Sequence, residues 1–133
     1  MGEAIESETE IYLADTLGEM GLFLRLADVA VMGGGFAPGV GGHNPLEPAR
    51  LGVGVISGPR VANFADIYAE MARSGGALIA EDAAALAGAL AGLLQDRSRL
   101  EALHRAAADF ASRQGDQLAA ALALIRPLLP AAA

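Results

Sequence analysis

The stretch Gly33-Gly34-Gly35-Phe36-Ala37-Pro38-Gly39-Val40-Gly41-Gly42-His43-Asn44-Pro45-Leu46-Glu47-Pro48 holds the residues of this chain best suited to chemistry, with six glycines between positions 33 and 43. An apolar run, Val29 to Met32, leads into it, and Asn44-Pro45 at its end is a helix-start signal. A glycine-rich turn from strand to helix is suited to holding an anion. Glycine lets the backbone approach a ligand, and the free N–H groups of a following helix carry about half a positive charge between them. Phosphate is the natural guest. The spacing is neither GxGxxG nor GxxxxGK[ST], so neither the dinucleotide fingerprint nor the P-loop accounts for it. A surface loop whose glycines serve only flexibility satisfies the same pattern.

Other candidates lie at the ends of the neighbouring apolar runs. In Asp15-Thr16-Leu17-Gly18-Glu19, Thr16 and Glu19 have capping-box spacing, and a helix start at a strand end also presents Gly18 and Glu19 to a cleft. Asn44 and Glu47 repeat the spacing, with Pro45 at the first helical position. Glu47 is then either a helix-start residue or a carboxylate that takes paired hydrogen bonds from ribose hydroxyls. His43 can donate to a phosphate or carboxylate. The only other histidine, His104, lies far along the chain, so no metal site is expected. Ser57-Gly58-Pro59 ends a third run, Asn63 and Phe64 open the next helix as cap and core residue, and Arg60 is the one basic side chain of that turn. No Ser/His/Asp set or close carboxylate pair stands out, so no catalytic residue is assigned and no cofactor is expected.

The elements that must position these residues alternate. Ile11 to Ala14, Val29 to Met32, Val53 to Ile56 and Ala77 to Ala80 read as buried parallel strands. Between them Met20, Phe23, Leu24 and Ala27, and then Phe64, Ile67, Tyr68 and Met71, have helical spacing. From about residue 82 the chain reads as a helical tail of three helices. Leu86, Leu90, Leu93 and Leu94 mark the first; Leu100, Leu103, Ala107 and Phe110 the second; Leu118, Leu122, Ile125 and Leu129 the third. Gln95-Asp96 and Gln114-Gly115-Asp116 separate them, Ser98 and Glu101 are spaced as a capping box, and Pro127 and Pro130 close the last. The fold class expected is α/β, a Rossmann-like parallel sheet with flanking helices that is incomplete for its kind. A sheet edge without its neighbours predicts self-association or another cover.

Composition bounds the rest. The 133 residues suit one unit, read as a mobile acidic leader over 1–9 and a single partial domain over 10–133. Hydrophobic residues make up 53% and aromatics 5%, so the core is built from small and aliphatic side chains. There is no cysteine, which removes disulfides and thiolate chemistry and suits a cytoplasmic setting. The net charge of −7 comes mostly from the first 28 residues, and no basic patch exists to hold a nucleic acid or an anionic membrane. With no apolar run of spanning length, the chain is expected to be soluble.

The motifs have a family resemblance. Asp15-Thr16-Leu17-Gly18-Glu19-Met20-Gly21, Ala27-Asp28-Val29-Ala30, Gly33-Gly34, Gly41-Gly42-His43-Asn44-Pro45-Leu46-Glu47-Pro48-Ala49, Gly58-Pro59 and Asn63-Phe64-Ala65 resemble, in order, the C-terminal part of bacterial 3-deoxy-D-manno-octulosonic acid (Kdo) transferases. The resemblance runs from about Ile11 to Ala80 and implies one half of a GT-B glycosyltransferase, the half that holds CMP-Kdo. It implies an inverting transfer of Kdo from CMP to a sugar hydroxyl of a lipid A precursor, in lipopolysaccharide biosynthesis at the cytoplasmic face of the inner membrane. It further implies that Gly33, Gly34, Gly41, Gly42, Asn44 and Glu47 face the donor. Related chains often carry a serine where Gly35 stands, so one hydroxyl contact to the donor is expected to be missing. The acceptor half, its general base and the membrane anchor belong to an N-terminal half outside the resemblance, so this chain alone is expected to bind weakly and catalyse nothing. Two other readings fit the residues: the donor half of a GT-B enzyme using a UDP-sugar, and a non-catalytic Rossmann-like interaction module.

Overall fold

Three short runs, the first two rich in β-branched residues, pair in the order in which they occur along the chain. The strands β1 (Val29–Met32), β2 (Gly54–Ser57) and β3 (Ala77–Ile79) form one parallel sheet with β2 in the middle. The register sets Val29 opposite Gly54, Met32 opposite Ser57, and Ser57 opposite Ile79. Every residue of β2 is buried, as befits a central strand covered on both faces. The structure, a computed structural model, describes residues 6–15 and 17–128.

Among the described residues, five helices flank the sheet: α1 (Met20–Leu26), α2 (Leu46–Arg50), α3 (Ala65–Arg73), α4 (Ala83–Gln95) and α5 (Arg97–Ile125). Successive side chains of a strand point to opposite faces, and two core clusters follow from that. Val55 packs with Ala49 of α2, Tyr68 and Met71 of α3, and Ala107 and Phe110 of α5. Ile56 packs with Leu93 of α4 and with Leu100 and Leu103 of α5. This is the Rossmann-like α/β arrangement expected from the sequence. α5 reaches both clusters by passing the N-terminal ends of the strands. The His104 ring Nε2 donates to the carbonyl of Asp28, just before β1, at 2.6 Å. A Cβ on Gly54, the first residue of β2, would run into Leu103, and one on Gly76, just before β3, would lie 2.8 Å from the Ala107 Cα.

Several expectations are corrected. Ile11 to Ala14 is not a strand: Ile11 and Leu13 are 88% and 81% exposed, and the segment makes no ladder. A strand needs a partner for its backbone groups, and the Tyr12 ring lies instead beside Phe23 of α1, 5.8 Å between centroids. The Gln114-Gly115-Asp116 break is absent, and α5 runs unbroken through it, because one glycine among strong helix formers costs only about 1 kcal/mol. Its start is capped by Asp96, whose Oδ1 accepts from the amides of Ser98 and Arg99 at 3.0 and 3.2 Å. Glu101 therefore closes no capping box and pairs with Arg97 at 2.9 Å. Leu94, Leu122 and Ile125, given by their spacing as helix markers, are exposed. The helix ends at Ile125, before the 3-10 turn Arg126–Leu128 that contains Pro127. Thr16, the first five residues of the leader, Leu129 and Pro130 lie outside the described residues.

Candidate functional site

Beyond Met32 the chain does not extend β1 but folds into a 3-10 turn, Gly33–Gly35, that passes over the end of β2. Phe36 N–H donates to the Gly33 carbonyl at 3.0 Å, and Arg60 N–H donates to the Gly35 carbonyl at 3.0 Å. The Arg60 guanidinium adds a bond from Nη1 to the Phe36 carbonyl at 3.1 Å, so the one cation of this turn is partly engaged by the protein itself. Gly34 and Gly35 are buried. A Cβ on Gly34 would run into the His43 ring, and one on Gly35 into the Ser57 hydroxyl. Gly34 and Gly35 are required by close approach, not by flexibility, whereas a Cβ on Gly33 would meet open space.

The loop that follows is held from outside. Gly39, Gly41 and Gly42 have φ of 79°, 79° and 86°, a region that L side chains rarely occupy. Asn63 clasps the loop, its Nδ2 donating to the Val40 carbonyl at 3.0 Å and its backbone N–H to the Gly41 carbonyl at 3.0 Å. Asn63 is therefore not the cap of α3. It sits inside a 3-10 turn, Ala62–Phe64, that precedes the helix, and Phe64 packs partly buried against the first core cluster. The Tyr68 hydroxyl donates to the His43 carbonyl at 2.9 Å. Burial raises the Tyr68 phenol above its ordinary pKa of 10.0, and the nearby Ser57 hydroxyl opposes the rise without reaching hydrogen-bond geometry. Tyr68 thus stays protonated and keeps its donor role at neutral pH.

No amide from Ala37 to Asn44 donates to an acceptor among the described residues, although Gly42 is buried. Buried backbone donors are nearly always paired, and runs of free amides in turns with alternating backbone hand form concave anion sites. Helix α2 contributes less than its start signal promised. It is a single five-residue turn with prolines at 45 and 48, and Pro45, expected as its first helical residue, stands just before it. The Asn44 side chain takes the Leu46 amide at 3.0 Å and the Pro45 carbonyl takes that of Ala49 at 3.3 Å. Only the Glu47 N–H remains, and a helix this short has little macrodipole. The free donors of this region are loop amides rather than a helix end.

Beside the loop lies an open hollow of about 390 Å³. Met20 and Leu24 of α1 and Ala30 to Gly33 form one wall, and His43, Glu47 and Pro48 the other. The Glu47 carboxylate is exposed and bonds to no described residue. Of the residues singled out from the sequence, Gly33, His43 and Glu47 line this hollow together. Gly34 lies behind the His43 ring, Asn44 is bonded to α2, and Gly41, Gly42 and Asn63 form the clasped loop. Gly18 and Glu19 are exposed just before Met20, Gly18 with a φ of 92°, and neither lines the hollow. The sequence reading missed Tyr68 and Ser57 as supports of the site. A tyrosine on a helix's buried stripe was the available signal, since its hydroxyl requires a partner. An apolar hollow with one free carboxylate, an imidazole and adjacent unpaired amides suits a sugar or base with an anionic group. Among the described residues, no three His, Cys, Asp or Glu side chains gather as a metal site, and no helix is long and apolar enough to cross a membrane.

No protein-family model matches the chain. It is 40% identical over 98 residues to a 3-deoxy-D-manno-octulosonic acid transferase of Bordetella pertussis, covering 74% of this chain and 23% of that protein. It is 32% identical over 128 residues to the enzyme of the same name from Haemophilus influenzae, covering 96% and 30% respectively. The chain thus spans about a quarter of the length of the curated relatives it matches. Among solved structures it is similar to the C-terminal CMP-Kdo binding domain of WaaA from Acinetobacter baumannii, with a TM-score of 0.76 and 35% identity over 81% of this chain and 56% of that one. By sequence and by fold, the chain corresponds to part of the C-terminal domain of 3-deoxy-D-manno-octulosonic acid transferases.

Proposed function

We propose that this chain is the donor-binding portion of a Kdo transferase and that its ligand is CMP-Kdo. The observation that carries the reading is the meeting, at the C-terminal end of β1, of an apolar hollow with the free Glu47 carboxylate and a loop of unpaired amides. Open α/β sheets bind ligands at that end of their strands. The loop amides take the phosphate or the Kdo carboxylate, Glu47 accepts from ribose hydroxyls, and His43 donates beside them. The likeness to a solved CMP-Kdo binding domain supports the choice of nucleotide.

In the longer protein, the acceptor is a lipid A precursor held by an N-terminal half at the cytoplasmic face of the inner membrane. The general base belongs to that half, so this chain alone binds and does not catalyse. The outer edge of β1, unpaired in the sheet, is covered in the isolated chain by self-association. Sedimentation should then show a species larger than the monomer, and a monomer that binds no apolar-surface dye overturns that part. The ligand is tested by titrating the chain with CMP and, separately, UDP while following amide chemical shifts. Selective shifts from Gly41 to Glu47 with CMP are expected. A preference for UDP would point to another GT-B donor, and no response to either at millimolar concentration would leave a non-catalytic module.

A further inference from the structure

The reading that follows rests on the proposed nucleotide site and concerns what holds its glycine turn in place. Ser57, the last residue of β2, is 0% exposed, yet its hydroxyl has no hydrogen-bond partner among the described residues. It is also the one side chain among three residues, Gly35, Ser57 and Gly58, that crowd together beside the Phe36 ring. A Cβ on Gly35 would collide with the Ser57 Oγ and lie 2.8 Å from the Gly58 N. A Cβ on Gly58 would collide with the Gly35 carbonyl oxygen and lie 2.9 Å from the Phe36 ring. Three residues therefore meet with room for a single side chain.

We propose that Ser57 is a positioning residue, whose hydroxyl fills the volume a side chain at position 35 would need and so sets the height of the Gly33–Gly35 turn above β2. The geometry gives this volume two consequences at the site. On one side the turn carries Gly33, which lines the hollow, and Gly34, which backs the His43 ring. On the other side the same hydroxyl lies near the Tyr68 phenol, which holds the His43 carbonyl at 2.9 Å. Ser57 thus stands between the two supports of His43. An unpaired buried hydroxyl is a standing cost, which is offset where its volume serves a purpose that an apolar side chain of the same shape would also serve. Ser57 therefore acts on the turn through its size rather than through a hydrogen bond.

The test is a double-mutant cycle on the full chain with Gly35→Ala, Ser57→Gly and the pair, read by melting temperature and by CMP affinity at a temperature where all variants are folded. Gly35→Ala alone should weaken CMP binding by about tenfold, the loss expected when a turn bordering a ligand is displaced by part of an ångström. Adding Ser57→Gly should recover part of both losses. Equal losses for Gly35→Ala with and without Ser57→Gly overturn the assignment. So does recovery of melting temperature without any change in affinity across the set, which would make Ser57 a packing residue only. If the unaltered chain binds no CMP, the ligand reading fails, and the melting cycle still decides whether positions 35 and 57 exchange volume.

Discussion

Gly54 and Gly76, at the N-terminal ends of β2 and β3, lie against Leu103 and Ala107 of α5, whereas Gly39, Gly41 and Gly42, beyond the C-terminal end of β1, lie in a loop of positive φ and unpaired amides. At the first end every near approach is answered by protein: His104 closes on Asp28, Leu103 on Gly54 and Ala107 on Gly76, within two turns of one helix. At the second end the backbone is held by only a few bonds, from Asn63 and Tyr68, and its own donors are left over. Glycine serves packing alone in one place, and in the other it serves a positive φ together with the close approach of Asn63 and Val61. If the proposed site is right, stability and ligand recognition are thereby separated along the strand axis.

Perturbing the N-terminal end should change stability without changing recognition. Phe110→Ala removes a ring that is 1% exposed and should cost about 3–5 kcal/mol in denaturant unfolding, with unaltered CMP affinity in the folded fraction. Gly76→Ala forces a methyl against the Ala107 backbone and should cost about 1–3 kcal/mol by the same measurement. A fall in CMP affinity for either variant would break the separation.

Tyr68 bridges the two ends, since its ring is core and its hydroxyl holds His43. Tyr68→Phe should cost about 1 kcal/mol and weaken CMP binding by moving His43. Its folded pKa lies above the unfolded 10.0, so its contribution is complete below pH 10 and is lost as the pH climbs through the folded value. Denaturant unfolding at rising alkaline pH should show a steeper loss of stability for the unaltered chain than for Tyr68→Phe. Parallel curves would remove Tyr68 from this role. Glu47→Ala has the smallest effect on folding, within about 0.5 kcal/mol, because the side chain is exposed and unbonded. It should weaken CMP binding. A lower melting temperature with unchanged affinity would make Glu47 a helix-start residue only.

Much of this was legible in the residues because it depends on local pattern. Val29 to Met32 and the β2 and β3 runs are short and apolar between turn residues, and they form the sheet. GGHNPLEPA identified the family, which the comparisons bear out. What was not legible depends on partners distant in sequence. Ile11 to Ala14 has a strand's pattern but no neighbour to pair with, and pattern alone cannot supply one. Asn63 looked like a cap and is spent 23 residues away on Val40. Asn44-Pro45-Leu46-Glu47 has a good start signal for a helix that Gly52, with a φ of 76°, ends after one turn. Asp96 outcompeted Ser98 as the cap because its carboxylate reaches two amides at once.

The unpaired amides between Ala37 and Asn44 give the molecule a built-in record of occupancy. In heavy water, protons held by no acceptor are replaced almost at the pace of an unstructured peptide, while those of the sheet wait for opening. An anion seated in the loop would slow that replacement there and nowhere else. The same unpaired donors that set the loop apart would make its filling readable, residue by residue, without any label on the ligand.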